Sequence, residues 1–408
     1  DNGCQYIGLM TRSYWQIRGE HLRVQNRNMP DFSGVWDIAV VGGGLMGIAV
    51  AHYLKALGCD RVIVLEKEYV GYGASGRNAG FLLSGMAEPY SRLEVGLGSD
   101  WAKALMLATI ENHDLVAEAI KNNNIGCDYQ RTGSYHLAVS ETEEKELAES
   151  VELLNKNGFP GEFVDSNEIR NRLGLNHYLG GYFNPIDGNL DPFAYVNGLS
   201  QGLDIIEGFE VKEIQRSDGQ VRLMGGKGII SSEMAVLATN AYTPLLDNSF
   251  NDMIFPVRGQ MLATAKGLND KLGKSTYYAN FGYDYFRQSP DGTILMGGLR
   301  DKFIETEIGY ADEINPNLQD GLENYVRNNF EMAQFDVPFR WSGLMANTID
   351  GLPLIGALPH NGAVVAAVGC NGHGFGLCMV IARDLALALL EGKTSNLLNR
   401  FSLKRFLR

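Results

Sequence analysis

The sequence predicts an α/β fold in which a mostly parallel sheet carries helices, joined to a second, α+β unit. Two observations predict it. A strand, a glycine-rich turn, a helix and another strand follow one another over residues 37–66, and later segments such as "GSYHLAVS" alternate apolar and polar residues. The chain has 408 residues, which is sufficient for two domains of ordinary size.

The composition limits the classes of partner. The net charge of −13 disfavours nucleic acid or an anionic membrane surface as a partner. The five cysteines are scattered and form no Cys-x-x-Cys pair, which favours a cytoplasmic protein without a disulfide framework or a metal site. No apolar run reaches the ~20 residues that span a bilayer. Residues 1–30 contain no signal-peptide pattern, so we expect an N-terminal extension there.

The first glycine cluster indicates a dinucleotide site. Residues 37–41 have the composition of a buried strand, and "GGGLMG" follows with Gly42, Gly44 and Gly47 at G-x-G-x-x-G spacing. A helix and the strand "RVIVL" come next, and Glu66 stands at the end of that strand. In this context Gly42 allows a tight turn, Gly44 lets a pyrophosphate reach the backbone, and Gly47 lets helix and strand pack closely. Glu66 is expected to accept hydrogen bonds from ribose hydroxyls, so the ligand is NAD or FAD.

Two further glycine clusters favour FAD. "GYGASGRNAGF" (residues 71–81) follows the second strand, and "CNGHGFG" (residues 370–376) opens a helix near the C-terminus. Such glycine density indicates tight turns or close approach of a ligand to the backbone. A helix N-terminus offers free N–H groups and a positive dipole end, which suits the negative charge of reduced flavin near N1. FAD is the longer dinucleotide, and one extended molecule would explain all three clusters.

Four blocks of sequence resemble the D-amino-acid oxidase/glycine–sarcosine oxidase superfamily (the DAO family) of FAD-dependent amine oxidoreductases. They are "DIAVVGGGLMGIAVAHYL…VIVLEK", "VGYGASGRNAGF", "VLATNAYTPLL" and "DGLPLIG…GHGFG", spread over residues 37–390. "SYW" and "GASGRN" are closer to the gamma-glutamylputrescine oxidase type. The resemblance implies a glutathione-reductase-like Rossmann FAD-binding domain and a second α+β substrate domain built on a mostly antiparallel sheet. The expected FAD-binding segments are 31–120, 185–250 and 341–408, and the expected substrate-domain segments are 121–184 and 251–340.

The resemblance also implies that FAD contacts several separate segments. The expected cofactor-binding residues are Gly42, Gly44, Leu45, Met46, Gly47, Glu66, Lys67, Gly73, Ala74, Ser75, Arg77, Asn78, Ala79, Gly80, Val211, Thr239, Asn240, Gly372, His373, Gly374, Phe375 and Gly376. On this interpretation, residues 71–81 are glycine-rich because FAD lies against their backbone. The attachment is expected to be non-covalent, because Gly343 stands at about the register of the flavin-linking cysteine of sarcosine oxidase relatives. Cys370 and Cys378 are expected to act as small apolar residues.

The sequence departs from the family pattern at the substrate site. Relatives often place an arginine before the T-x-D-G-x-P block, where it clamps the substrate carboxylate, but here Met345 stands in that register. A thioether cannot make the bidentate contact of a guanidinium. Either another arginine holds the carboxylate, with Arg258, Arg287 and Arg300 as candidates, or the substrate has no α-carboxylate.

The remaining candidate catalytic residues are Tyr285 and His373, beside Arg258 and Met345. Tyr285 belongs to "TYYANFGYDYF", whose aromatic faces either surround a protonated amine or fill the core. His373 orients cofactor or substrate, or caps its own loop. The strand "TILMGG" lacks the lysine that promotes reaction with oxygen in sarcosine oxidase relatives, so oxygen and another electron acceptor both stay open.

We therefore expect an FAD-dependent amine or amino-acid oxidase or dehydrogenase. It would oxidise the C–N bond of a small-molecule amine or N-substituted amino acid, with hydride transfer to flavin N5 and hydrolysis of the imine. Two alternatives stay open. One is a flavin-dependent 2-hydroxy-acid dehydrogenase of the same superfamily, with His373 taking the alcohol proton. The other is a non-catalytic flavin-binding subunit.

Overall fold

Two eight-stranded sheets organise the chain. The computed structural model describes residues 11–23, 34–86 and 88–406. The first strands are β1 (Val35–Val41), β2 (Val62–Leu65), β3 (Phe81–Leu82), β4 (Ser134–Ala138), β5 (Glu162–Asp165), β6 (Gly180–Asn184), β7 (Gly188–Asn189), β8 (Asp204–Ile206) and β9 (Val211–Ser217). The later strands are β10 (Gln220–Gly225), β11 (Gly228–Leu237), β12 (Ile254–Ala263), β13 (Thr276–Ala279), β14 (Asp284–Gln288), β15 (Ile294–Gly297), β16 (Phe339–Thr348), β17 (Leu354–Leu358) and β18 (Asn361–Val368).

The helices lie between and beside these strands. They are α1 (Tyr14–Arg18), α2 (Leu45–Ala56), α3 (Tyr90–Leu97), α4 (Ser99–Asn122), α5 (Glu141–Lys156), α6 (Ser166–Leu173), α7 (Pro192–Leu199), α8 (Thr243–Leu246), α9 (Pro316–Asn329), α10 (Gly374–Glu391) and α11 (Asn396–Arg400). Their ends follow local chemistry. Ser140, for example, accepts a hydrogen bond from the Glu143 N–H at the start of α5, as the S-x-x-E pattern predicts.

The first sheet has the strand order β17-β18-β11-β1-β2-β8, with β10 and β9 continuing from β11. The contacts of β1 with β2 and β11, of β2 with β8 and of β11 with β18 are parallel. β2 is buried along its whole length, as its "VIVL" sequence requires. On one face α2 and α10 pack together over a core that includes Ile48, Leu54 and Met379. This is the predicted α/β domain.

The second sheet has the order β16-β12-β15-β14-β13-β4-β6-β5. Its strand contacts are antiparallel except for that of β13 with β4, so the predicted mostly antiparallel sheet is confirmed. β16 belongs here because it pairs with β12 over ten residues, from Phe339 to Thr348. Residues 341–348, which the sequence places in an expected FAD-binding segment, thus form part of a strand of the second sheet.

The described ranges contain neither a candidate membrane span nor a candidate metal cluster. No helix within them combines the length and apolar character that a bilayer crossing requires. No group of three or more His, Cys, Asp or Glu side chains in the same ranges is placed to hold a metal ion.

Candidate active site

A cavity of about 1500 Å³ is lined by residues of both eight-stranded sheets and of the loops beside them. Its lining comes from the turn after β1, the end of β2, residues 72–79, residues 209–212, residues 238–246 and the loop that opens α10. The second sheet contributes residues of β12, β14 and β16. The carboxyl ends of β1, β2 and β11 point to this cavity, the usual ligand position in a doubly wound sheet.

The turn after β1 has the shape that a dinucleotide phosphate requires. Gly42 has a φ of 113°, and a Cβ there would lie 2.6 Å from the Ala238 carbonyl oxygen. A Cβ on Gly47 would lie 1.9 Å from the Gly42 carbonyl oxygen, so only glycine lets α2 pack this closely on the turn. Gly44, at the N-terminus of α2, faces open space apart from the Ser75 hydroxyl at 3.1 Å. That opening lets an anion approach the helix N-terminus.

Glu66 braces the same turn from the end of β2. Its carboxylate accepts hydrogen bonds from the N–H groups of Gly43 at 2.6 Å and Glu68 at 2.8 Å. Burial raises the pKa of Glu66 to about 7, although these two bonds act in the opposite direction. Glu66 also lines the cavity, so the residue that holds this turn borders the space next to it.

The glycines of residues 71–81 serve two different purposes. Gly73 lines the cavity, and nothing lies within 4 Å of its Cβ position, so a ligand can approach there. Gly80 does not line the cavity; its φ is 76°, and a Cβ would lie 2.2 Å from the Leu190 carbonyl oxygen. Asn78 holds the loop internally, since its amide donates to the carbonyls of Ala74 and Ser75. Gly73 therefore borders open space in the cavity, whereas close packing against Leu190 requires glycine at position 80.

An N-terminal segment that the sequence interpretation left without a role packs on this loop. Trp15 is fully buried and donates from Nε1 to the Asn78 carbonyl at 2.8 Å. Ser13 donates to the Gly76 carbonyl at 2.5 Å, and Gln16 donates to the Tyr72 carbonyl at 2.7 Å. The "SYW" motif was the available signal, because a serine N-cap followed by aromatic residues predicts a short packed helix.

Arg77 joins the glycine-rich loop to the second sheet. Its guanidinium is buried, forms an ion pair with Asp312 at 2.8 Å, and donates to the carbonyls of Tyr72 and Ser342. The Nη2 atom of Arg77 is buried and has no hydrogen-bond partner among the described residues. Because Arg77 lines the cavity, this free donor is available to a ligand.

The loop before α10 lies at the centre of the cavity. Asn240 accepts from the N–H groups of Gly369 and Cys370 and so fixes the start of the loop. His373 is buried, and its Nε2 has no hydrogen-bond partner in the described ranges. Burial lowers the pKa of His373 to about 4, so its imidazole is neutral near pH 7. Cys370 and Cys378 lie with their sulfur atoms 3.9 Å apart and are unoxidised.

The second sheet contributes an apolar and aromatic wall. Tyr278 and Tyr285 of this sheet line the cavity, and Phe81 of β3 lines it beside them. Burial raises the pKa of Tyr285 to about 12, so its phenol stays protonated. Met345 also lines the cavity. Its Sδ lies 3.2 Å from the Cβ position of Gly372, and its Cε lies 3.2 Å from that of Gly259. The thioether thus fills the space between the α10 loop and β12.

The three candidate replacement arginines occupy different environments. Arg258 lies outside the cavity lining, and its guanidinium forms ion pairs with Glu307 at 2.9 Å and Glu313 at 3.0 Å. Arg287 is also outside the lining; it is fully buried and donates to the carbonyls of Gly80 and Leu190. Arg300 does line the cavity, with its guanidinium carbon 5.4 Å from the Tyr283 ring centroid. These positions argue against Arg258 and Arg287 as carboxylate ligands.

Most of the predicted site residues therefore border one cavity. The exceptions are Gly47, Gly80 and Arg258, which the lining does not include. The first two permit close packing of the chain, and Arg258 is held by carboxylates of the second unit. The cradle is suited to FAD, because it offers an open helix N-terminus at Gly44, a ribose acceptor at Glu66 and, at the far end, the N-terminus of α10.

Comparison with known proteins agrees with this geometry. Residues 37–388 match the profile of the DAO family, described as FAD dependent oxidoreductase. The chain is 29% identical over 377 residues to the probable oxidoreductase OrdL of Haemophilus influenzae, covering 87% of this chain and 83% of that protein. It is 27% identical over 371 residues to the gamma-glutamylputrescine oxidoreductase of Escherichia coli, and the match covers 87% of this chain and 84% of that protein.

Solved structures share the fold. Glycine oxidase from Geobacillus kaustophilus superposes with a TM-score of 0.76 at 23% identity, over 92% of this chain and 100% of that one. L-proline dehydrogenase from P. horikoshii superposes with a TM-score of 0.75 at 22% identity, and the match covers 91% of this chain and 98% of that one. The family profile spans well over half of the residues, and the fold and the cradle are those of a flavoenzyme. The chain belongs to the DAO family of FAD-dependent oxidoreductases.

Proposed function

We propose that the protein oxidises the C–N bond of an amine whose reacting carbon carries no carboxylate. The observation that carries this proposal is Met345, whose thioether occupies the space between Gly259 and Gly372 in the cavity. A carboxylate placed against it would lose its hydration without a compensating charge, at a cost of several kcal/mol. The similarity to a gamma-glutamylputrescine oxidoreductase supports an amine of this kind.

FAD, when bound, supplies the two-electron chemistry. The chain contributes orientation and the exclusion of water. Tyr278 and Tyr285 present partly buried rings that hold an alkyl amine by apolar contact. The neutral imidazole of His373 borders the cavity beside the loop that opens α10. These groups suit a neutral amine, for which loss of hydride from carbon requires no strong base.

A 2-hydroxy-acid dehydrogenase is the second candidate, because the imidazole of His373 borders the cavity and an imidazole can take an alcohol proton. The pKa of His373, about 4, makes its imidazole a weak base. This favours oxidation of an amine, which needs no strong base, over oxidation of a 2-hydroxy acid, in which a base takes the alcohol proton. Purified holoprotein mixed without oxygen with amines, amino acids and 2-hydroxy acids separates the candidates. Bleaching of flavin absorbance by amines is expected; bleaching by 2-hydroxy acids alone supports the second candidate, and no bleaching by any class supports a non-catalytic subunit.

The electron acceptor and compartment are part of the same proposal. β15 has the sequence "ILMG" and contains no lysine, which supports an acceptor other than oxygen. Reoxidation of reduced holoprotein by air is therefore expected to be slower than by a quinone dye, as measured by the return of flavin absorbance. The four cysteines in the described ranges are free, which supports a cytoplasmic location.

A further inference from the structure

The positively charged side chains of the cavity point to a second recognition site. Six lysine and arginine side chains line it, and five of them are held by carboxylates. The ion pairs are Arg77–Asp312, Arg92–Glu146, Arg340–Glu323, Lys67–Glu210 and Lys212–Glu210. Arg300 has neither an ion pair nor a side-chain hydrogen bond in the described part of the chain, and its contact is with the Tyr283 ring. From this difference we infer that Arg300 binds a carboxylate of the substrate that is remote from the reacting C–N bond.

The local backbone fixes Arg300 at the cavity wall. β15 ends at Gly297, and Gly298 and Leu299 follow with φ values of 129° and 58°, which turn the chain sharply. A Cβ on Gly298 would lie 2.1 Å from the Tyr283 carbonyl oxygen, so the turn packs tightly on that neighbour. Leu299 is buried and donates its N–H to the same carbonyl at 3.1 Å. The guanidinium is therefore presented by a rigid turn.

Arg300 and Met345 lie on different segments of the cavity wall. Met345 adjoins the α10 loop through Gly372, whereas Arg300 stands on the turn that packs against Tyr283. Arg300 lines the cavity together with Tyr283 and Tyr285, and its guanidinium carbon lies 5.4 Å from the centroid of the Tyr283 ring. An amine held at that wall beside the α10 loop would direct the far end of its chain, and not the reacting carbon, towards Arg300.

The chemistry of a half-buried guanidinium favours a carboxylate. Its planar donors match a carboxylate with two parallel hydrogen bonds, and its guanidinium carbon lies within cation–π range of the Tyr283 ring. Arg92 provides the contrast, because it lies 4.3 Å from the Phe281 ring centroid in a similar stack but already has Glu146 as its partner. The inference rests on the proposed amine oxidation and adds its substrate class, an amine with a distal carboxylate.

The test compares δ-aminovalerate with its neutral counterpart δ-aminovaleramide on wild-type, Arg300→Gln and Lys302→Gln holoprotein. Lys302 is a matched control, since it lies on the same turn, is exposed and does not line the cavity. Anaerobic flavin reduction is followed over a range of concentrations. For wild type and Lys302→Gln, we expect the concentration of δ-aminovalerate that gives the half-maximal rate to be about tenfold to a hundredfold lower than that of δ-aminovaleramide. In Arg300→Gln this preference should disappear, with the amide unaffected.

A binding measurement keeps this inference distinct from the proposed function. Valerate and valeramide carry no amine, and their binding is read from the perturbation of flavin absorbance. Preference for valerate that is lost in Arg300→Gln supports the carboxylate site even if no amine reduces the flavin, in which case only the proposed function fails. Equal binding of valerate and valeramide to wild type, or an unchanged preference in Arg300→Gln, overturns the inference even if amines reduce the flavin.

Discussion

Replacing Gly44 by alanine tests where the cofactor phosphates lie while leaving the fold intact. Gly44 has a φ of −79°, which alanine adopts without strain, and the nearest atom to its Cβ position is the movable Ser75 hydroxyl at 3.1 Å. We therefore expect the free energy of unfolding of the apoprotein to change by less than about 1 kcal/mol. The same change at Gly47 would place Cβ 1.9 Å from a carbonyl oxygen and should destabilise the fold by several kcal/mol.

The expected loss is in FAD affinity. A methyl group at Gly44 fills the space through which a pyrophosphate reaches the N-terminus of α2, so the phosphate must withdraw and lose a hydrogen bond to a backbone N–H. A charge-assisted hydrogen bond is worth about 1.5–3 kcal/mol, which corresponds to a rise in Kd of about tenfold to a hundredfold. Gly44→Val adds more volume and should abolish FAD binding.

The assay is titration of apoprotein with FAD, followed by quenching of flavin fluorescence, with thermal unfolding measured in parallel. Gly96→Ala is the matched control, because Gly96 lies in α3, away from the cavity lining, with nothing within 4 Å of its Cβ position. It should leave the Kd for FAD unchanged. Wild-type affinity in a folded Gly44→Ala variant would show that the phosphates do not lie at this turn.

Three further predictions concern the cofactor and the substrate. Acid precipitation should release all of the flavin as free FAD, because Gly343 offers no thiol for attachment; flavin absorbance left in the pellet would contradict this. Because the pKa of Glu66 is about 7 in the cofactor-free protein and ribose hydroxyls require its carboxylate, FAD affinity should fall as the pH decreases below about 7 and stay level above it. Glu66→Ala should weaken FAD binding about tenfold to a hundredfold and remove the pH dependence, and a pH profile like that of wild type would place the ribose elsewhere. Met345→Arg should raise the rate of flavin reduction by glycine and D-alanine relative to alkyl amines, and an unchanged preference would refute the assigned register.

Local features of the cofactor site could be predicted because they depend on short stretches of chain. The strand, the turn at Gly42 and Gly44, the helix and Glu66 lie within thirty residues, and each has a steric or hydrogen-bonding requirement that only certain residues meet. The S-x-x-E start of α5 was predictable for the same reason, since one hydroxyl satisfies a neighbouring N–H group.

Contacts between distant segments could not be predicted in this way. Nothing near Arg77 indicates that its partner is Asp312, and nothing near Arg258 indicates Glu307, because each pair joins segments that are far apart in the sequence and meet only in the folded chain. The packing of Trp15 on the loop at Asn78 is of the same kind. A charged residue in an apolar strand pattern is compatible with a ligand or with a buried ion pair, and only the fold distinguishes them.

The most direct test of the central claim is anaerobic flavin reduction by two compounds that differ only in the carboxylate on the reacting carbon. δ-Aminovalerate and α-aminoadipate form this pair, and both keep the distal carboxylate. If Met345 leaves an α-carboxylate without a partner, δ-aminovalerate should reduce the flavin at least about tenfold more efficiently, and the product should be the corresponding aldehyde. Faster reduction by either enantiomer of α-aminoadipate, or no reduction by δ-aminovalerate, would contradict the account.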